Sequence, residues 1–221
     1  MLKERFGTYQ ERQQLQQTAA FKQTNDVWSQ QGFNRSANVG EVMKLIRHYE
    51  PQDRKDWEDY YFLYRTTVLN DFDMFADCAA AFAQAAGIEV DLAYKYIYIR
   101  VVDQTYDGYQ NEQNAYQGIQ KYLQHRHPQR HYLLEHGDDY CDRVYGVDLR
   151  LYLMDQGKKE IAGIQLKPQS YFYFIKKHPW QEQVNHRHHQ KYVQATHAPV
   201  LYWSYEEIQN QQAPHVACAQ A

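Results

Sequence analysis

The chain has 221 residues, of which 43% are hydrophobic and 23% charged, so it is long enough to bury a core and wholesale disorder is excluded. Its 24 basic and 27 acidic residues give a net charge of −3, which excludes a broadly basic nucleic-acid coat but allows a local basic cleft. The apolar runs are too short for a membrane span and three cysteines are too few for a disulfide framework, so we expect a cytoplasmic protein.

The N-terminal half of the sequence is predicted to be helical. Residues 1–35 are polar and glutamine-rich and indicate an N-terminal extension, in which a helix over roughly residues 3–22 is only weakly supported. A helix start is expected at Ser36–Glu41, with Asn38 as its N-cap. Apolar spacing predicts further helices at 53–69, 70–86, 90–102 and 111–124, with Gly87 ending the second of these and Gly108 breaking the third.

The apolar period changes from 3.6 to 2 at Gly146. Strands are predicted at 146–154 and 160–167, then a helix at 179–196 and a buried strand at 200–205. The sequence therefore predicts an α/β (α+β) fold, in which a helical half precedes a small mixed sheet flanked by helices. We expect one domain over 36–210, made of a helical part (36–125) and a sheet part (126–205), and a loose tail over 211–221.

The two predicted strands form a hairpin whose register can be read from the sequence. A tight turn centred on Gln156-Gly157 places Asp148 opposite Gln165 and Leu149 opposite Ile164. One face of the hairpin is then apolar except for Glu160, and the other is polar except for Ile161. We expect the apolar face to be buried and the Asp148 face to line a cleft.

This register brings together groups that suit a magnesium site. The Asp148 carboxylate and the Gln165 side-chain carbonyl can hold a hard cation such as Mg²⁺, which can acidify a bound water and neutralise a phosphodiester oxyanion. Lys167 can orient that water or offset charge in the transition state. The alternative interpretation of the same spacing is an ordinary amphipathic hairpin with a solvated polar face.

The pattern of Asp on one strand and Gln-x-Lys on the next resembles the PD-(D/E)XK nuclease core. The predicted helix at 179–196 and strand at 200–205 resemble the later part of the α-β-β-β-α-β layout of that core. Three stretches resemble more narrowly the type II restriction endonucleases of the MjaI kind. They are Asn38–Val42 with Trp57–Tyr61; Gln104–Tyr109 leading into Glu112; and Gly146–Asp148 followed by Gln165–Tyr171.

The resemblance implies a Mg²⁺-dependent enzyme that cuts double-stranded DNA at a short palindrome, works as a homodimer and has a cognate DNA methyltransferase as functional partner. The sequence departs from the strict pattern at Gln165, where the broad family usually has Asp or Glu. A neutral ligand holds Mg²⁺ less tightly, so another carboxylate is expected to help, either Glu112 or Asp142. Two other interpretations stay open: a DNA-binding module that keeps the nuclease fold without catalysis, and a DNA-repair nuclease.

The histidine-rich stretch His186–His189 does not have the spacing of a zinc site. Two histidines four residues apart, as a helical zinc site requires, are missing there. We interpret this stretch as a solvent-exposed helix face, on which Arg187 and Lys191 are candidate DNA phosphate contacts.

Overall fold

The computed structural model describes residues 5–138 and 140–219, except for the side chain of Ser36. The chain divides into two compact units, Met1–Gln110 and Asn111–Ala221. In the part of the chain that is described, no helix has the length and apolar character needed to cross a membrane.

The first unit is helical. Its helices are α1 (Tyr9–Gln16), α2 (Ala19–Gln30), α3 (Ser36–Val39), α4 (Val42–Tyr49), α5 (Arg54–Thr67), α6 (Ala76–Ala86) and α7 (Val90–Tyr98), followed by a π-helical turn (Ile99–Asp103) and the start of α8 (Gln104–Arg126). Side-chain caps begin three of them: Thr8 forms a capping box with Glu11, and Thr18 and Asp53 each accept a hydrogen bond from a backbone N–H of the first turn. The core of this unit is largely aromatic and includes Phe21, Trp28, Trp57, Tyr61 and Phe82.

Several predictions for this half are wrong in detail. Residues 9–30 are not a polar extension, because they form α1 and α2, and Phe21 and Trp28 are buried in the core of the unit. Asn38 lies inside α3 and not at an N-cap, and Glu41 precedes α4. The Ala-rich helix begins at Ala76, although Gly87 ends it in the left-handed conformation as expected.

The helix end predicted at Gly108 is wrong, because Gly108 lies inside α8. This 23-residue helix begins in the first unit and continues into the second. A lone glycine costs only about 1 kcal/mol in a helix interior, and neighbouring packing outweighs that cost.

The second unit is a mixed sheet between helices. After α8 come β1 (Tyr132–His136), a π-helical turn (Cys141–Tyr145), β2 (Leu149–Leu153), β3 (Lys159–Lys167), α9 (Gln169–Lys177), α10 (Pro179–Thr196), β4 (Val200–Ser204), α11 (Tyr205–Gln209) and β5 (His215–Cys218). The strand order is β1-β2-β3-β4-β5, with β3 and β4 parallel and the other neighbours antiparallel. The predicted α+β fold, with a helical half followed by a small mixed sheet flanked by helices, is confirmed.

Helices cover both faces of this sheet. On one face, Ala115 and Ile119 of α8 and Ile208 of α11 are buried with Leu149 and Ile164. The other face lies under α10, whose Tyr192 and Val193 are buried with Val147 and Val200.

Several elements of this unit were not predicted. β1 and α9 fall in segments without a clear apolar period, and β5 lies in the tail that was expected to be loose. Within the described residues of the tail, the expectation is therefore wrong for His215–Cys218, and residues 220–221 lie outside the description.

Candidate active site

Asp148 lies where the chain enters β2, and β3 holds it in place. The preceding π-helical turn ends at Gly146, which has a φ of 64°. The backbone N–H of Asp148 donates to the Ile164 carbonyl (2.9 Å), and its carboxylate Oδ2 accepts from the Leu166 N–H (2.7 Å). The carboxylate of Asp148 thus accepts a hydrogen bond that a main-chain carbonyl would accept in a regular sheet.

The register of the β2–β3 hairpin agrees with the prediction near the site. Leu149 pairs with Ile164 and Leu151 with Ala162, as expected. Asp148 bonds to both neighbours of Gln165 on β3, so the two residues lie beside each other where the paired part of β2 begins.

Toward the turn the hairpin departs from the prediction. The register shifts by one residue after Leu151, so that Tyr152 pairs with Glu160. The shift leaves Ile161 as the extra residue and packs it with the apolar face, while Glu160 binds Arg150 on the polar face. This bulge therefore explains why Glu160 and Ile161 did not fit the predicted alternation of polar and apolar faces.

The Asp148 carboxylate is electrostatically unusual. Burial raises its pKa to about 7, although the Leu166 N–H and the positive charge of Lys167 act in the opposite direction. Burial also lowers the pKa of Lys167, while Asp148 and Asp142 oppose that shift. A carboxylate and a lysine are thus held together in a poorly solvated place.

The two alternative acids both lie within electrostatic reach of Asp148. The negative charges of Asp142, in the π-helical turn before β2, and of Glu112, on α8, each contribute to the raised pKa of Asp148. Glu112 is half-buried and Asp142 is exposed. The structure therefore places both candidates near Asp148 and does not select between them.

Gln165 lies on the face of the sheet that α10 covers. Its side chain is only 7% exposed, and its Oε1 is 3.2 Å from Nε2 of His189, a residue of α10 that is 1% exposed. Further along this face, the Tyr192 ring packs against Gly163. The expectation that this face lines an open cleft is wrong along the strand, because α10 lies on it.

Metal binding by carboxylates alone is not prearranged here. Within residues 5–138 and 140–219, no group of three or more His, Cys, Asp or Glu side chains is placed so that it could hold a metal ion. The predicted ligand pair of Asp148 and Gln165 includes only one carboxylate.

The comparison with known families identifies the chain. A family model described as MjaI restriction endonuclease matches residues 24–209. The chain belongs to this family. No curated protein and no solved structure matches it.

The match to the MjaI restriction endonuclease family extends from α2 to the end of α11. It includes all three stretches that carried the resemblance, and it includes Asp148, Gln165 and Lys167. The family indicates a type II restriction endonuclease, which is a DNA-binding nuclease.

The candidate DNA contacts of this restriction endonuclease family member lie on the outer side of α10. Arg187 and Lys191 are both exposed. Arg187 also lines a cavity of about 550 Å³, together with His189 and Tyr202. They are therefore accessible, although not in contact with the Asp148 site.

One buried residue beside the site was missed from the sequence. His189 was grouped with its exposed neighbours as part of a solvent-exposed helix face, yet it is buried with Tyr192 and Val193. The spacing of three and four residues to these two apolar side chains was the signal that could have separated His189 from the others.

Proposed function

We propose that this chain is a Mg²⁺-dependent type II restriction endonuclease that hydrolyses phosphodiester bonds of double-stranded DNA at a short palindromic site. The observation that carries the proposal is the Asp148 site, with its half-buried carboxylate fixed by the Leu166 N–H beside Lys167 and two further acids. This arrangement lies inside the part of the chain that matches a restriction endonuclease family.

The charges around Asp148 fit a divalent cation. The negative charges of Asp142 and Glu112 act on Asp148 with Lys167 as the opposing cation, and the pKa of Asp148 is raised to about 7. Mg²⁺ is usually bound through one or two carboxylates, several waters and substrate phosphates, so a ready-made cage of three acids is not required. We propose Asp148 and the Gln165 carbonyl as ligands, completed by Glu112 or Asp142.

Mg²⁺, when bound, would supply positive charge against the phosphodiester oxyanion and lower the pKa of a water molecule. The chain's own residues would orient the reactants. Asp148 keeps one carboxylate oxygen on the Leu166 N–H, which leaves its second oxygen for a ligand. Asp148 directly precedes β2 and is hydrogen-bonded to β3, and groups supported by such rigid elements are held more accurately than groups on free loops.

Lys167 would act on the substrate side of the site. Its ammonium group lies 4.9 Å from the centroid of the Tyr171 ring, and its charge acts on Asp148. A poorly solvated ammonium interacts strongly with charge that develops at the phosphate. We therefore propose that Lys167 orients the attacking water or stabilises the transition state.

DNA contact outside the reacting centre is proposed for Arg187 and Lys191. Both are exposed cations on α10, and phosphate contacts of this kind fix the register of a protein on DNA without reading its sequence. Because an endonuclease of this type would also cut unprotected host DNA, we propose a cognate DNA methyltransferase as its functional partner.

The test is digestion of one DNA of known sequence with Mg²⁺ and with a chelator. Discrete, reproducible fragments that appear only with Mg²⁺ are expected, and mapping their ends would give the palindrome. Binding without cutting would support the non-catalytic DNA-binding module, and cutting without sequence preference would support a repair nuclease. Either of these results would contradict the proposal.

A further inference from the structure

His189 is a buried polar residue that meets one of the proposed site residues. Among His186, His188 and His189 it is the one that is enclosed, with 1% of its surface exposed. Its Nε2 is 3.2 Å from Gln165 Oε1, and the Tyr202 ring lies at its side with ring centroids 5.3 Å apart. A buried polar group without a partner costs free energy, so this contact contributes to fixing both side chains.

Gly146 packs closely against the side-chain amide of Gln165. A Cβ at this position would lie 3.1 Å from Gln165 Nε2 and 3.6 Å from His189 Nε2. Its φ of 64° is in the left-handed region that favours glycine. The turn before β2, strand β3 and helix α10 thus meet around one amide group.

The direction of the hydrogen bond between the two side chains depends on the tautomer of His189. With the proton on Nε2, the imidazole donates to Gln165 Oε1, and the amide oxygen keeps a second lone pair for a cation or a water molecule.

We propose that His189 is a positioning residue that holds the Gln165 amide with its oxygen fixed for the Asp148–Lys167 site. The proposal rests on the proposed nuclease function, because it takes Gln165 as a working part of that site. A free glutamine side chain loses conformational entropy on being ordered. Gly146 and His189 impose that order before any cation arrives. Because the buried His189 imidazole fixes its amide, the neutral Gln165 can serve as a ligand at this position.

The test compares three variants of the full chain. His189→Leu removes the ring N–H, His189→Gln keeps a side-chain donor, and His186→Leu changes an exposed histidine of the same helix as the matched control. The first readout needs no metal or DNA. The side-chain amide NMR signals of Gln165, assigned by their loss in Gln165→Ala, are expected to move in His189→Leu and to stay in the other two variants.

The second readout is calorimetric Mn²⁺ affinity, and the third is the single-turnover cleavage rate. Both are expected to fall about 10–100-fold in His189→Leu, the usual loss when a residue that orients a ligand is removed, and to recover in His189→Gln. In a Gln165→Ala background, His189→Leu is expected to lower neither value further, because the pair acts as one unit.

Three results would overturn the proposal: unchanged Gln165 signals in His189→Leu, unchanged Mn²⁺ affinity, or an equal further loss in the Gln165→Ala background. If the wild-type protein cuts no DNA, the proposed function fails, while the amide signals and Mn²⁺ affinity still decide the role of His189. If His189→Leu does not fold, His189→Asn takes its place, because its shorter amide is polar but does not reach Gln165.

Discussion

At the residue scale, two opposing effects act on the pKa of the Asp148 carboxylate. Its carboxylate is fixed by a backbone N–H, which favours the charged form, and is buried near two other acids, which disfavours that form. Residues at functional sites often sacrifice stability in this way. The stability of the metal-free protein and the chemistry of the site can therefore be tested separately.

Catalysis and DNA binding are expected to separate at Lys167 and Asp148. Lys167→Ala removes the proposed group on the substrate side, and Asp148→Ala removes the main anionic ligand. Cleavage is expected to fall about 10²–10⁴-fold or more in each, while both variants still shift site-containing DNA in a gel. Asp148→Ala is expected to bind somewhat more tightly without divalent metal, because a charge that repels phosphate is removed.

The control for this prediction is Lys159→Ala, which removes an exposed lysine from the far end of the same strand and is expected to cut normally. Cutting at a near-wild-type rate by either site variant would reject the role assigned to that residue.

Asp148→Asn is expected to stabilise the metal-free protein. The neutral amide keeps an oxygen for the Leu166 N–H and removes the buried charge. A gain of about 1 kcal/mol or more in the free energy of unfolding is expected, which corresponds to roughly 2–4 °C in melting temperature.

Asp155→Asn is the matched control, because hydrogen bonds from the His131 N–H and from Arg130 lower the pKa of Asp155. The melting temperature is expected not to rise in this variant. A lower melting temperature for Asp148→Asn, measured with chelator at neutral pH, would show that the buried charge is not a cost to the fold.

At the element scale, the contact between β3 and α10 is unusually close at Gly163. A Cβ there would lie 2.8 Å from Tyr192, whose ring is buried and whose hydroxyl donates to Glu160. Because this ring cannot move aside easily, Gly163→Ala is expected to destabilise the protein by about 1–3 kcal/mol in urea unfolding.

Gly108→Ala is the matched control for Gly163→Ala. Gly108 lies inside α8 with open space where its Cβ would be, so alanine is expected to stabilise by about 0.5–1 kcal/mol. If Gly163→Ala is as stable as the wild type, α10 does not lie against β3 as described.

Glu160 joins three elements and gives the stability of the protein a pH dependence. Burial raises the pKa of Glu160, but hydrogen bonds from Arg150 of β2 and Tyr192 of α10 outweigh burial and lower it below its ordinary 4.5. A depressed pKa means that the stabilisation is complete above about pH 4.5 and is lost as the pH falls through the lower folded value. Glu160→Gln is expected to lose stability at pH 7 and to show a weaker decline below pH 4.5. Parallel curves for the two proteins in urea titrations would exclude this contribution.

The sequence predicted the open end of the hairpin better than its turn end, for a physical reason. Alternation fixes the faces of paired residues, so Leu149–Ile164 and Leu151–Ala162 were correct. A bulge adds one residue and reverses the alternation, and its trace in the sequence was the misfit of Glu160 and Ile161. The partners of Glu160, Arg150 and Tyr192, lie on different elements, which the hairpin alone could not reveal.

At the scale of the whole molecule, local patterns predicted helices well and long-range pairing poorly. The apolar stripe of α5 and the glycine that ends α6 are local features, so the sequence contained them. β1 and β5 are strands because they pair with β2 and β4, and their own sequences have no clear alternation. The position of Asp148 beside Lys167 was predictable from the motif, while the enclosure of Gln165 by His189 depended on where α10 lies.

We expect the working form of the protein to be a homodimer. Two-fold symmetry is the simplest way to cut both strands of a palindrome, because each subunit then meets an equivalent half-site. We expect the tyrosine-rich helices of the N-terminal half to form the interface. At the end of α5 and just after it, Leu63, Val68 and Phe72 are 59%, 59% and 69% exposed. Exposed apolar side chains concentrated in one segment are typical of interaction surfaces.

Analytical sedimentation of the free protein and of its complex with site-containing DNA is expected to give two chains per particle. A double variant, Leu63→Glu with Phe72→Glu, is expected to sediment as a folded monomer, because charges would be buried without partners in the interface. Val90→Glu, at an exposed apolar position on α7, is the control and is expected to remain dimeric. A wild-type protein that is monomeric both free and on DNA would reject the dimer, and a dimeric double variant would place the interface elsewhere.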